Sequence, residues 1–134
     1  MTSVTAAIGM FIATWIATGW FVSRLSGWSI LAQYYRTTEH SPPGAQRMKS
    51  GVMRKGMRYN NALTIGAEPR GLYVAMPALF RIGHPRLLIP WSDISTQPRQ
   101  GFFGPWIRFA FRSAPGVYLD LKETLGREML SARR

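Results

Sequence analysis

Eight side chains in this 134-residue chain have the character for acid–base or ligand chemistry: Glu39, Glu68, Asp93, Asp120, Glu123, Glu128, His40 and His84. They are scattered. Neither histidine has a carboxylate or a second histidine at ligand spacing, and a metal site needs several ligands that converge. His84 precedes Pro85, which holds it in an extended turn and suits it to a structural hydrogen bond. Trp91-Ser92-Asp93 resembles an active-serine phrase only superficially. Pro90 ends a strand there, no base is near in sequence, and Ser92 or Asp93 is expected to cap a turn. There is no cysteine, which excludes disulfides, thiol catalysis and thiolate-bound metals. Phosphate-binding glycine loops and zinc-protease or nucleophile-elbow motifs are absent too. No catalytic residue, metal ligand or cofactor is therefore assigned, and an enzyme ranks as a distant third reading.

Charge is the stronger signal. Seventeen basic against six acidic side chains give a net charge of +11. Lys49, Arg54, Lys55 and Arg58 lie in or beside one turn, Met53-Arg54-Lys55-Gly56-Met57-Arg58, and are the candidates for binding anionic lipid or a partner. Each is worth about 1 kcal/mol near an anionic leaflet. A second set, Arg81, Arg86, Arg99, Arg108 and Arg112, is all arginine, which pairs bidentately with carboxylates and stacks on aromatics. It suits a protein interface or a headgroup, and the sequence leaves open whether it is solvated. Nucleic acid is the weaker reading of the charge. No helix-turn-helix, RNP-like strand or zinc module accompanies it, and a membrane anchor beside the basic surface is the simpler explanation.

The anchor lies at the start of the chain. Residues 1–23 carry no charged side chain, and every charge falls from Arg24 onward. Val4–Val22 as a helix spans about 28 Å, close to the hydrocarbon thickness of a bilayer. No basic stretch precedes it, and Trp20 and Phe21 end it, so it reads as an uncleaved anchor rather than a signal peptide. The Lys/Arg bias places the N-terminus outside and the remainder in the cytoplasm of a bacterial inner membrane, as a single-pass protein. Trp20, Arg24 and Trp28 are expected at the cytoplasmic interface. Gly9, Ala13 and Ala17 form a small-xxx-small stripe opposite the bulky face, a spacing that admits close approach of another helix.

The elements that follow define the domains: residues 1–28 the anchor, 29–45 a juxtamembrane helix and Pro-rich linker, and 46–134 a cytoplasmic domain. Trp28–Arg36 has a helical apolar face near the membrane surface, broken by Pro42-Pro43-Gly44. Strands are expected at Gln46–Met53, Tyr59–Ile65, Leu72–Met76, Arg86–Ile89, Trp106–Phe111 and Val117–Leu121, with Gly66–Gly71 as turn material and Ser95–Pro105 irregular. A helix begins at Glu123, weakened by about 1 kcal/mol at Gly126. The fold class is mainly β with α: a small sandwich or barrel capped by a C-terminal helix.

Gly71-Leu72-Tyr73-Val74, Phe80–Pro85, Leu88–Ile94 and Tyr59–Gly66 together resemble bacterial pleckstrin-homology-like and GRAM-like domains on a single N-terminal helix, small membrane-anchored proteins of unassigned function. The resemblance covers about residues 46–130. It implies seven strands in two near-orthogonal sheets with one open end plugged by the C-terminal helix, and anionic headgroups at the loop holding Arg54, Lys55 and Arg58. The function expected first is a non-catalytic accessory subunit of a larger integral membrane protein complex (respiratory, photosynthetic or transport). The alternative is a membrane-anchored sensor of anionic lipids.

Overall fold

The computed structural model of the chain describes residues 2–77, 81, 84–101 and 104–132. Among these run α1 (Thr2–Ser26), α2 (Trp28–Tyr35), β1 (Gln46–Met53), β2 (Met57–Glu68), β3 (Gly71–Ala75), β4 (Leu87–Pro90), β5 (Ile94–Gly101), β6 (Gly104–Phe111), β7 (Tyr118–Lys122) and α3 (Glu123–Ser131). The strands form one antiparallel sheet in the order β4-β3-β2-β1-β7-β6-β5, curled into a half-barrel. Two meanders, β1–β4 and β5–β7, meet where Val52 pairs with Asp120 and Met53 with Leu119. Alternation turns Leu63, Ile65, Leu72, Val74, Phe109, Leu119 and Leu121 into one core.

β4 and β5 do not pair, and α2 lies across the opening between them. Trp28, Leu31 and Tyr35 are buried in the same core as the strands. Arg36 bridges to Leu87 on β4. The Tyr35 hydroxyl donates to Asp93 Oδ2 at 2.9 Å just ahead of β5, and Ser113 Oγ donates to the same carboxylate oxygen. Asp93 thus ties α2 to the β6–β7 turn, a longer reach than the local cap expected of it. Helix α2 thus shares one core with the strands. The 37–45 segment is a strap on the outside of the sheet. Thr37 N–H donates to Arg86 O, and Pro42 and Ala45 lie over Gly66.

Two strand expectations are corrected. β2 continues through Gly66, Ala67 and Glu68, paired with β3 in unbroken register, so only Pro69-Arg70 turns the chain. Within the stretch Ser95–Pro105, expected to be irregular, residues 95–101 and 104–105 are strand, and residues 102–103 lie outside the described residues. β5 pairs with β6 residue for residue from Ile94↔Phe111 to Gly101↔Gly104. β5 is an exposed edge strand, where Pro98 removes no ladder bond that the sheet requires. At the other end Gly126 is buried in α3. A Cβ there would stand 3.0 Å from Ile107 Cδ1, so the glycine that weakens the helix lets it lie close against β6.

Candidate functional site at the helix–domain junction

From Ser3 to Thr18 every residue of α1 is exposed, and the helix is long and apolar enough to span a membrane. Its bulky face (Phe11, Trp15, Val22) fronts an apolar groove of about 300 Å³ whose other wall is Tyr59, Met76 and His84. Gly9, Ala13 and Ala17 fall on the opposite side of the helix by the 100° periodicity, and all three are exposed.

The last turn of α1 is held firmly. Arg54 donates from Nε to Leu25 O at 3.2 Å and from a terminal nitrogen to Arg24 O at 2.9 Å. A guanidinium here answers both the orphan carbonyls and the negative end of the helix dipole. Arg54 was expected to face headgroups. Its fork is instead turned onto the helix end. Lys55 and Arg58 remain exposed beside it, whereas Lys49 lies back along β1, opposite Leu63 and away from the turn.

Beneath the groove is a buried polar cluster. Tyr59 Oη donates to Ser26 Oγ at 2.9 Å and lies 2.9 Å from His84 Nε2. Ser26 Oγ also accepts from Trp28 N–H and donates to Ser23 O. With the phenol proton given to Ser26, the His84–Tyr59 bond requires a proton on Nε2 as donor. Burial pushes the Tyr59 phenol up to about 12, so it stays neutral. The hydroxyl of Ser26 is engaged on both sides, accepting from Tyr59 and Trp28 and donating to Ser23 O. The cluster ties α1, β2 and the β3–β4 connection together through hydrogen bonds.

Trp28 is corrected from interface to core. It is fully buried, its Nε1–H donates to Pro85 O at 2.9 Å, and its ring meets His84 edge-on at 5.1 Å. Trp20 and Arg24 stay on the surface, where the Arg24 guanidinium sits 4.7 Å from the Trp20 ring centre. The second arginine set divides. Arg108 makes a two-pronged bond to Asp120 at 2.8 and 3.0 Å and covers the Tyr118 ring at 3.7 Å. Arg99 and Arg112 are exposed elsewhere, and Arg81 and Arg86 converge with Arg47 on the outside of the sheet. Sequence reasoning overlooked Ser26, Tyr59 and Arg47. Only Ser26, just ahead of the helix-breaking Gly27, carried a local signal.

Among the described residues, no group of three or more histidine or carboxylate side chains comes together as a metal would require. No protein-family model, curated protein or solved structure matches the chain.

Proposed function

We propose that this chain is a non-catalytic accessory subunit of a larger bacterial inner-membrane complex, respiratory, photosynthetic or transport. α1 crosses the bilayer once with its N-terminus outside, and a pleckstrin-homology-like domain braces the cytoplasmic face. The observation that carries the reading is the contrast along α1. Its first two-thirds stand clear of the domain, while its last turn is clamped by Arg54 and by the Ser26–Tyr59–His84 cluster. A simple tether needs only a loose linker. A helix fixed to its domain without slack suits a subunit that must hold both parts in register with a partner. The exposed Gly9, Ala13 and Ala17, turned away from the domain, supply a face on which a partner helix can close. Purification in mild detergent tests this: the chain should leave the membrane with larger subunits in fixed stoichiometry, and isolation of the chain alone overturns it.

Sensing of anionic lipid is the second reading, favoured by the exposure of Lys55 and Arg58 beside the cytoplasmic end of the helix. The two readings share one topology, which a reporter fused after Arg134 checks. The fusion should be active only in the cytoplasm.

A further inference from the structure

On the outside of the sheet, where the strap crosses β3, a cavity of about 340 Å³ has Arg47, Arg81, Arg86, Tyr73, Thr64 and His40 in its lining. Three arginines therefore line one pocket, and the described residues of its lining include no carboxylate. None of the three takes part in an ion pair among the described residues. Glu39, the acid on the strap, is turned to Arg70, which holds both of its carboxylate oxygens and also Glu68. The arginines cannot shed their charge by deprotonation, so they repel one another unless an anion joins them.

Two of them are positioned by the backbone. Arg81 Nε donates to Met76 O at 3.0 Å, and an Arg86 terminal nitrogen donates to Thr38 O at 3.3 Å. Each bond uses one of five N–H donors and leaves the others unspent. The Tyr73 hydroxyl donates to Glu39 O, which pins the strap over the same strand. Met76 lines both this cavity and the apolar groove beside α1, so the pocket lies on the side of the domain that adjoins the helix.

We propose that Arg47, Arg81 and Arg86 form a binding site for a phosphate monoester or diphosphate group. The source is either the headgroup of an anionic lipid beside α1 or a soluble phosphorylated molecule. The shared chemistry is a tetrahedral oxyanion with two or more negative charges, to which guanidinium forks bond in pairs. The site uses neither Lys55 nor Arg58, and it stands whether or not the chain is an accessory subunit.

The test uses the full chain in nanodiscs of neutral phosphatidylcholine, with inorganic pyrophosphate titrated by calorimetry. A second arm adds phosphatidic acid to the delipidated chain in detergent and counts retained lipid by native mass spectrometry. Saturable binding of pyrophosphate marks a soluble source, and retention of phosphatidic acid without pyrophosphate binding marks the lipid. In whichever arm binds, Arg81→Gln/Arg86→Gln should lower affinity or retention at least tenfold, and Lys55→Gln/Arg58→Gln should leave it within twofold. Arg47→Gln changes an exposed side chain and should by itself lower binding several-fold, which keeps the test decisive if the double variant does not fold. Absence of saturable binding in both arms overturns the site. So does an equal loss in the Arg81/Arg86 and Lys55/Arg58 variants, since that outcome marks diffuse charge attraction instead.

Discussion

The Tyr59 hydroxyl and His84 Nε2 lie 2.9 Å apart in the interior, joining β2 to the connection between β3 and β4 directly beneath the apolar helix. Burial holds the phenol neutral up to about pH 12, whereas an unfolded tyrosine ionises near pH 10. The folded state thus keeps a proton that the unfolded state releases. The stability this confers is complete below pH 10 and is lost as pH rises through about 12, a change of about 2–3 kcal/mol. Denaturant midpoints of the full chain in detergent at pH 9 and 11.5 should fall steeply for wild type and less for Tyr59→Phe. Equal slopes would show that Tyr59 does not govern the alkaline limit.

Arg54 and its neighbours should separate cleanly. Arg54→Gln removes both bonds to the end of α1 and should lower stability by about 1–2 kcal/mol in any lipid. Lys55→Ser/Arg58→Ser should leave stability unchanged in neutral nanodiscs. If those two residues meet headgroups, wild type gains thermal stability in anionic nanodiscs, the gain shrinks at high salt, and the double variant loses it. The lipid-sensing reading is abandoned if wild type shows no such gain.

Gly27 separates α1 from α2 with φ of +92°, and a Cβ there would lie 2.7 Å from both methyls of Val117. Gly27→Ala combines a left-handed backbone with this overlap and should cost about 2–4 kcal/mol. Adding Val117→Ala removes the overlap but not the backbone strain. The pair should therefore destabilise by less than the sum of the two single changes, as thermal unfolding of all four proteins would reveal. Strict additivity would place the whole cost in the backbone.

Ala13 lies in the small-residue stripe on the side of α1 turned away from the domain. Ala13→Leu improves the apolar character of the span, yet it would hold a partner helix off, and a gap of about 1 Å already forfeits much of the dispersion contact. The variant should reach the membrane and be lost from a complex during purification, while Ile12→Leu on another face is retained. Equal retention of the two would mean that the complex is held through the domain alone.

What the sequence made legible follows from where each residue sits. β6 and β7 carry one apolar and one polar face, so a period of two betrays them. β5 is exposed along nearly its whole length, and nothing in Ile94–Gly101 alternates. Its place is set by pairing with β6, which no local pattern records. Trp28 is ambiguous for a related reason. A tryptophan just past an apolar helix suits an interface equally well, and only the packing of Pro85, His84 and Tyr59 around it makes it core. The basic turn was visible as a cluster, but charge alone does not tell which member faces solvent and which turns back to a helix end. Arg47, Arg81 and Arg86 are far apart in sequence and meet only through the register of the sheet and the path of the strap.

The pairing of β1 with β7 has a consequence for the order of folding. Val52 meets Asp120 and Met53 meets Leu119 across most of the domain's length, whereas β1–β2, β2–β3, β3–β4, β5–β6 and β6–β7 each join strands that follow one another in the chain. Closing the long loop costs more chain entropy than closing any of the short ones, so the two meanders can form separately and the β1–β7 ladder is the last to close. A chain stopped after Gly116 has no β7 to join them, and its residues 28–116 should be open to protease throughout. Cooperativity of the whole sheet thus rests on two residue pairs at its middle.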